Sequence, residues 1–216
     1  MVYASAGKTL KTDIANIQTS LQEKETYNDN SILMSINPYN KTVARIVYYI
    51  DTGYQIMPGS TYQNIDYSDR IIEMYMTYLT GGELYAQMAR ELSTPTKIQY
   101  VREILNIASN PDTDMISIDL SNINSAACQE MIDIIKKGLK EIYPKATSSI
   151  AEHKLTEISE DIYTTVDLDL ETLQNTNIKT VADLADSLDA KSKELKDWET
   201  SRNPNGIIPL GESSKT

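Results

Sequence analysis

The first regular pattern in the chain is a narrow apolar stripe between residues 8 and 27. Leu10, Ile14, Ile17 and Leu21 recur at intervals of four, three and four residues, which is the spacing of one face of an α-helix. A stripe this thin is typical of a helix that packs against a single partner. We therefore expect an N-terminal helix with one long contact surface.

A second stripe of the same kind runs through residues 171–199. Lys191 interrupts its heptad positions, which are Val181, Leu184, Leu188, Leu195 and Trp198. At 1.5 Å per residue, such a helix can reach about 40 Å. We expect it to pair antiparallel with the helix of residues 8–27 as a stalk, so that both ends of the chain lie at the same end of the pair.

Between the two stripes, residues 31–166 predict an α/β body. In chain order the pattern predicts strand structure at 31–36 and 43–50, a helix at 68–92 that is kinked or split at 81–82, a helix at 98–108, a strand at 115–120, a helix at 125–142 that Pro144 ends, and a strand from about 150. Because a strand, a helix and another strand follow each other at the end, we expect a parallel βαβ unit. The predicted fold class is α+β, with a mixed sheet, in a single domain of residues 1–216.

The charge of the chain restricts its partners. The net charge is −11, and residues 160–199 alone contain eleven acids and four lysines. A surface this acidic repels phosphate backbones, so nucleic acid is not an expected partner. No run approaches the roughly 20 apolar residues of a membrane span, and residues 1–7 lack the pattern of a signal peptide.

Cysteine and histidine offer little site chemistry. Cys128 is the only cysteine, so no intrachain disulfide and no Cys/His metal spacing exist, and its place on a helical stripe predicts a buried core residue. His153 is the only histidine and has no Ser or Cys nucleophile in a recognisable arrangement nearby. We predict a surface histidine within a strand.

Acidic residues cluster at Asp112, Asp114 and Asp119, around the start of the strand at 115–120. Grouped carboxylates can hold a divalent metal or perform acid–base chemistry. The alternative, which we favour, is turn capping together with one solvent-facing strand position. A metal-dependent enzyme is thus a rival hypothesis.

A second acidic group lies in "VDLDLE", with Asp167, Asp169 and Glu171. It lacks the glycine and the spaced glutamate of a calcium loop. We expect Asp169 or Thr172 to cap the final helix instead.

The turn at residues 121–125 joins a strand to a helix, where many enzymes bind phosphate. It contains no glycine, although a phosphate loop needs glycines to let backbone N–H groups surround the anion. Asn124 or Ser125 is therefore expected to act as an ordinary helix N-cap. No catalytic, cofactor-binding or metal-ligating residue is predicted anywhere in the chain.

Eight of the fourteen tyrosines lie between residues 48 and 85, and phenylalanine is absent. Exposed tyrosines stack on sugar rings and fill protein interfaces, whereas those at helical spacing commonly pack in a core. A carbohydrate-binding or adhesive surface is therefore a second rival hypothesis for this region.

Three stretches resemble the extracytoplasmic domain of the Wzz-type chain-length determinants, also called polysaccharide co-polymerases, in particular the Gram-positive members. They are "SILMSINPYNKTVARIVYYID" (31–51), "IIEMYMTYLTGGELYAQMARELS" (71–93) and "TDMISIDLSNINSAACQEMIDIIKKGL" (113–139). The resemblance covers roughly residues 31–165. The tail at 201–216 is also similar to the proline-containing approach to the family's second membrane helix.

The resemblance implies a non-enzymatic, oligomeric scaffold on the outer face of a bacterial cytoplasmic membrane, where it regulates the length of a surface polysaccharide. It implies flanking membrane helices, association of copies into rings, and contact with a polysaccharide polymerase and the growing glycan, with a cytoplasmic tyrosine kinase as a further partner. The chain departs from the family's best-known enterobacterial members in the placement of its two terminal helices.

Overall fold

The computed structural model describes residues 2–54, 59 and 65–202 of the 216-residue chain. Helices and strands combine as expected for an α+β protein. Their bounds are α1 Val2–Asn30, α2 Ile32–Ser35, β1 Lys41–Asp51, α3 Ser68–Thr80, α4 Gly82–Glu91, α5 Ile98–Glu103, β2 Leu105–Asn110, β3 Met115–Asn122, α6 Ser125–Ser149, β4 Lys154–Thr165 and α7 Leu168–Arg202. The predicted tail lies almost wholly outside the described residues.

The described part of the chain forms two compact units. One contains residues 30–172, and the other combines the two ends of the chain, up to residue 29 and from residue 173. We call the first the body and the second the stalk.

The body contains a four-stranded sheet in the order β2-β3-β1-β4, in which every neighbouring pair is antiparallel. Since β3 and β4 both run opposite to β1, they are parallel to each other, as expected for strands joined by a helix. β1 lies between them, however, so no two neighbouring strands are parallel. The prediction of a mixed sheet is therefore wrong. Buried and mostly half-buried positions alternate along β1, which suits a central strand whose core face is fully covered.

The core lies on one face of this sheet, against α3, α4 and α6. Ala44, Ile46, Tyr48 and Ile50 of β1 all point to this face and are buried. Cys128 is also completely buried there, as predicted. The break between α3 and α4 at Gly81 confirms the predicted interruption of the helix.

Three local predictions are wrong. Residues 32–35 are a short helix and not a strand, and residues 105–110 are strand β2 and not helix. β2 forms because its residues pair with β3 along their whole length. Pro144 lies inside α6 and does not end it, because the following turn places Ala146 in the core, where it is fully buried.

In the stalk, α1 and α7 lie antiparallel, as predicted. Gly7 lies against the Trp198 ring, Lys11 forms an ion pair with Glu199 at 3.2 Å, and Asp13 lies near Lys191. The start of α1 therefore lies beside the end of α7.

The contact between these helices follows the two apolar stripes. Leu10 is buried, and the other members of the stripes are half-buried: Ile14, Ile17, Leu21, Val181, Leu184, Leu188, Leu195 and Trp198. Lys191 lies in the same row and donates to Glu194 at 2.8 Å.

Candidate functional site

The turn between β3 and α6 uses its polar groups internally. Asn124 Oδ1 accepts from the backbone N–H of Ala127 at 2.9 Å, so it caps α6 as predicted. Asn122 is buried, and its side chain donates to Met131 Sδ at 3.3 Å and accepts from the Ile123 N–H at 2.8 Å. These bonds make the turn a structural joint.

The acidic residues near β3 do not share one site. Asp119 forms a two-pronged ion pair with Arg45 on the neighbouring strand, with N–O distances of 2.5 and 3.1 Å. Asp114 adopts a left-handed backbone conformation (φ 52°), and burial, followed by Asp66, raises its pKa. Within the described ranges, no group of three His, Cys, Asp or Glu side chains could hold a metal ion.

The second acidic group stabilises the junction between β4 and α7. Asp167 binds Lys41 Nζ at 2.8 Å and accepts from the Leu170 N–H at 2.9 Å. It is therefore the cap of α7, and the prediction of Asp169 or Thr172 is wrong. Glu171 accepts a hydrogen bond from the Tyr39 hydroxyl.

The prediction of a surface histidine is wrong, because His153 is only 5% exposed and precedes β4. Its Nδ1 lies 2.9 Å from the Ala151 carbonyl oxygen, and its Nε2 lies 2.8 Å from the Tyr75 hydroxyl. Since a carbonyl only accepts, Nδ1 donates, and in the neutral ring Nε2 accepts from Tyr75. Tyr143 also donates to the His153 carbonyl at 2.7 Å.

This cluster ties α3, α6 and the approach to β4 together. Burial, and then Tyr143, raise the pKa of the Tyr75 hydroxyl, which keeps it protonated and able to donate. Nothing in the local sequence indicates the cluster, since its three rings come from separate parts of the chain.

A half-buried ionic cluster joins α6 to β4 and was also not predicted. Lys136 binds Glu157 at 2.9 Å and also binds Glu160, while the Tyr48 hydroxyl lies 3.4 Å from Glu157. Burial by itself lowers the pKa of Lys136, but the hydrogen bonds to Glu160 and Glu157 outweigh it and raise the pKa. The lysine is thus held charged between the two carboxylates.

The described tyrosines between residues 48 and 85 do not form an exposed aromatic surface. Tyr48, Tyr75 and Tyr85 are buried, and Tyr49, Tyr54, Tyr67 and Tyr78 are half-buried. Tyr62 lies outside the described residues. The described tyrosines therefore do not form the continuous exposed surface that the rival sugar-binding hypothesis requires.

The body has a cleft of about 570 Å³ beside the break between α3 and α4. Its apolar floor includes Tyr78, Ile142 and Ile150, while Arg70 and Glu73 lie on its exposed polar rim. An apolar floor with charged groups around it can bind a molecule that has both apolar and hydroxyl-bearing faces.

No protein-family model and no curated protein matches the chain. Among the helices of the described residues, none has the length and apolar character needed to cross a membrane.

Proposed function

We propose that this chain is the extracytoplasmic part of a membrane-anchored, oligomeric scaffold that regulates the length of a bacterial surface polysaccharide. In this role it catalyses no reaction. It acts by holding copies of itself, a polysaccharide polymerase and the growing glycan in a fixed arrangement.

The observation that best supports this proposal is the antiparallel pairing of α1 and α7. Gly7, near the start of the chain, lies against Trp198, near the end of the described part. Membrane helices joined to α1 and α7 would therefore enter and leave the stalk at one end. This arrangement suits an outer domain that has one membrane helix before it and one after it in the sequence, as the resemblance to chain-length determinants implies.

We assign the glycan contact to the cleft beside the break between α3 and α4. Its volume suits a few sugar units, whose apolar faces would pack on Tyr78, Ile142 and Ile150. Arg70 and Glu73 on the rim are exposed, so both can hydrogen-bond hydroxyl groups without first losing another partner inside the core.

The gene deletion tests the role directly. Deletion is expected to change the length distribution of a surface polysaccharide on gels of extracted polymer, while the total amount of sugar changes less. Complementation with the wild-type gene should restore the distribution. An unchanged distribution in the deletion strain would reject the proposal.

A cleft variant tests the assigned glycan contact. We expect Arg70→Gln combined with Glu73→Gln to shift the length distribution, because two of the three charged side chains that line the cleft are lost. The matched control is Arg90→Gln combined with Glu91→Gln in α4, which changes the same residue types outside the cleft lining. A shift of equal size in the control would remove the assignment to the cleft.

A further inference from the structure

The two edges of the sheet differ in how they are protected. β4, at one edge, contains a bulge opposite Val47 and Tyr48 of β1 and carries Lys154, Glu157 and Glu160. Bulges and charged side chains are the features by which natural proteins prevent an edge strand from pairing with another chain. The β4 edge is therefore protected.

β2, at the other edge, has none of these features. Its sequence, LNIASN, contains no charged residue and no proline, and its pairing with β3 has no register shift. No strand in the described ranges pairs with its outer side. In a chain with a net charge of −11, this uncharged edge is where a second copy can approach with little repulsion.

The direction of the backbone groups of β2 follows from one hydrogen bond. The Ser121 N–H donates to the Ile104 carbonyl at 2.9 Å, so Ile104 faces β3. Because backbone groups alternate along an antiparallel strand, Leu105, Ile107 and Ser109 direct their N–H and C=O groups away from β3. These groups form a short, regular row along the free edge.

We propose that the free edge of β2 pairs antiparallel with β2 of a second copy, about a two-fold axis at Ile107. In this register Ile107 lies opposite Ile107 of the other copy, and Leu105 lies opposite Ser109 at each end. All three outward-facing residues then exchange N–H and C=O bonds with their opposite residues, and the two sheets join into one. If the register of the two β2 strands were shifted by one residue, backbone groups that face the second copy would lie opposite groups that face β3.

The same register also matches the side chains. Leu105, Ile107 and Ser109 lie opposite Leu120, Ile118 and Ile116 of β3, so they are on the core side of the sheet. The half-buried Ile107 side chain therefore gains an apolar neighbour from the second copy. The contact is small, and interfaces below about 1,200 Å² are commonly weak, so concentration decides how far it forms.

Sedimentation equilibrium of the whole 216-residue chain measures the association, at protein concentrations from about 10 µM to about 1 mM. We expect a reversible monomer–dimer equilibrium. Ser109→Pro should shift it at least about tenfold toward monomer, since proline removes an outward N–H and keeps the ladder with β3. Thr156→Lys on β4, the control, should leave it unchanged.

Cross-linking tests the register and does not depend on the proline variant folding. Under mild oxidation Ile107→Cys should form a disulfide dimer, because residues opposite each other in a bonded pair have Cα atoms about 5.5 Å apart. Asn106→Cys and Ala108→Cys should cross-link much more slowly, since neither lies opposite its own copy. The native Cys128 is buried, so we expect it not to take part in cross-linking.

Three results would overturn the proposal: a monomer at every concentration, a dimer that Ser109→Pro does not weaken, or cross-linking that is fastest at residue 106 or 108. The proposal is independent of the polysaccharide role, because it concerns association of the isolated chain. Failure of the gene deletion to change polymer length would leave the sedimentation result standing.

Discussion

His153 joins three parts of the body through hydrogen bonds, and each bond has a defined direction. In its neutral form the ring accepts from Tyr75 and donates to the Ala151 carbonyl, while the carbonyl of His153 accepts from Tyr143. A buried acceptor that loses its donor costs more free energy than the bond itself contributes, because water cannot replace the donor. The Tyr75 hydroxyl is therefore the most informative single group to remove.

We expect Tyr75→Phe to lower the free energy of unfolding by about 1–3 kcal/mol, because it leaves Nε2 of His153 buried without a donor. Urea denaturation followed by circular dichroism measures the change. Tyr163→Phe is the matched control, since Tyr163 is 44% exposed, and it should change the free energy by less than about 0.5 kcal/mol. Equal effects of the two variants would contradict the role assigned to the buried bond.

Asp167 links stability to pH at the junction of β4 and α7. The hydrogen bond from Lys41, and then that from the Leu170 N–H, lower its pKa. A carboxyl whose pKa is lower in the folded state than in the unfolded state stabilises the folded protein. The full contribution is present at pH values above the unfolded-state pKa of about 3.9. That contribution is lost as the pH falls through the folded-state pKa.

Asp167→Asn should therefore be less stable than wild type at about pH 7, by about 0.5–1 kcal/mol, and the difference should shrink as the pH falls below about 3.9. The helix cap itself is retained, because asparagine is also a good N-cap. Urea titrations across this range measure the difference. Asp169→Asn removes the same charge without an ion pair to Lys41, so a pH dependence equal to that of Asp167→Asn would contradict the explanation.

At the scale of elements, close packing of α3 on α6 depends on a glycine. Gly138 lies inside α6, and a Cβ atom placed there would lie 2.9 Å from Tyr78 Cζ and even closer to its hydroxyl oxygen. Glycine in a helix costs about 0.5–1 kcal/mol relative to alanine. The contact with Tyr78 explains why this position holds glycine.

We expect Gly138→Ala to lower the free energy of unfolding by about 1–3 kcal/mol despite the better helix propensity of alanine, because Tyr78 must move. When Tyr78 is already replaced by alanine, adding Gly138→Ala should lower the free energy of unfolding by less than it does in the wild-type protein. Gly82→Ala is the matched control, since its nearest neighbour is the end of the Arg102 side chain at 3.9 Å. A stabilised Gly138→Ala protein would show that the contact is easily relieved.

The elements differed in how far the sequence could predict them. The apolar stripes of α1 and α7 and the alternation of β3 each reflect a single buried face, so periodicity was sufficient. β1 instead is rich in the β-branched and aromatic residues that are common in strands. The sequence pattern predicts helix for most of β2, because Leu105 also fits the helical spacing of Ile98 and Val101. Only the pairing with β3 decides between helix and strand. Local pattern does not contain that long-range pairing.

The buried contacts between distant residues could not be predicted, for a similar reason. Asn124 was predicted as a cap because capping is local, within three residues of the chain. The bond between Tyr75 and His153 spans 78 residues, and Lys136 lies 21 residues or more from its two glutamates, so their positions depend on the whole fold. The sequence identified the residue types but could not show which of them meet.

At the scale of the whole molecule, the body and the stalk are stabilised to different extents. The body buries a continuous apolar core, including Tyr75, Met88 and Ile118, on one face of its sheet. In the stalk, Leu10 is buried, whereas the other stripe residues keep part of their surface in water. Since burial of apolar surface provides most of the favourable free energy, the stalk should be the less stable unit.

The aromatic residues allow the two units to be followed separately. Trp198 is the only tryptophan and lies in the stalk, whereas the buried tyrosines lie in the body. We expect tryptophan fluorescence to change at a lower urea concentration than the near-ultraviolet circular dichroism of the tyrosines. Two transitions that do not coincide show that unfolding is not two-state.

A stalk variant shows whether the fluorescence transition belongs to α1 and α7. Leu10→Ala removes a buried side chain from the stripe, so the fluorescence midpoint should fall while the tyrosine midpoint stays within error. Ile118→Val, in the sheet of the body, should have the opposite effect, because Ile118 is fully buried in the core. Coincident transitions that shift together in both variants would mean that stalk and body unfold as one cooperative unit.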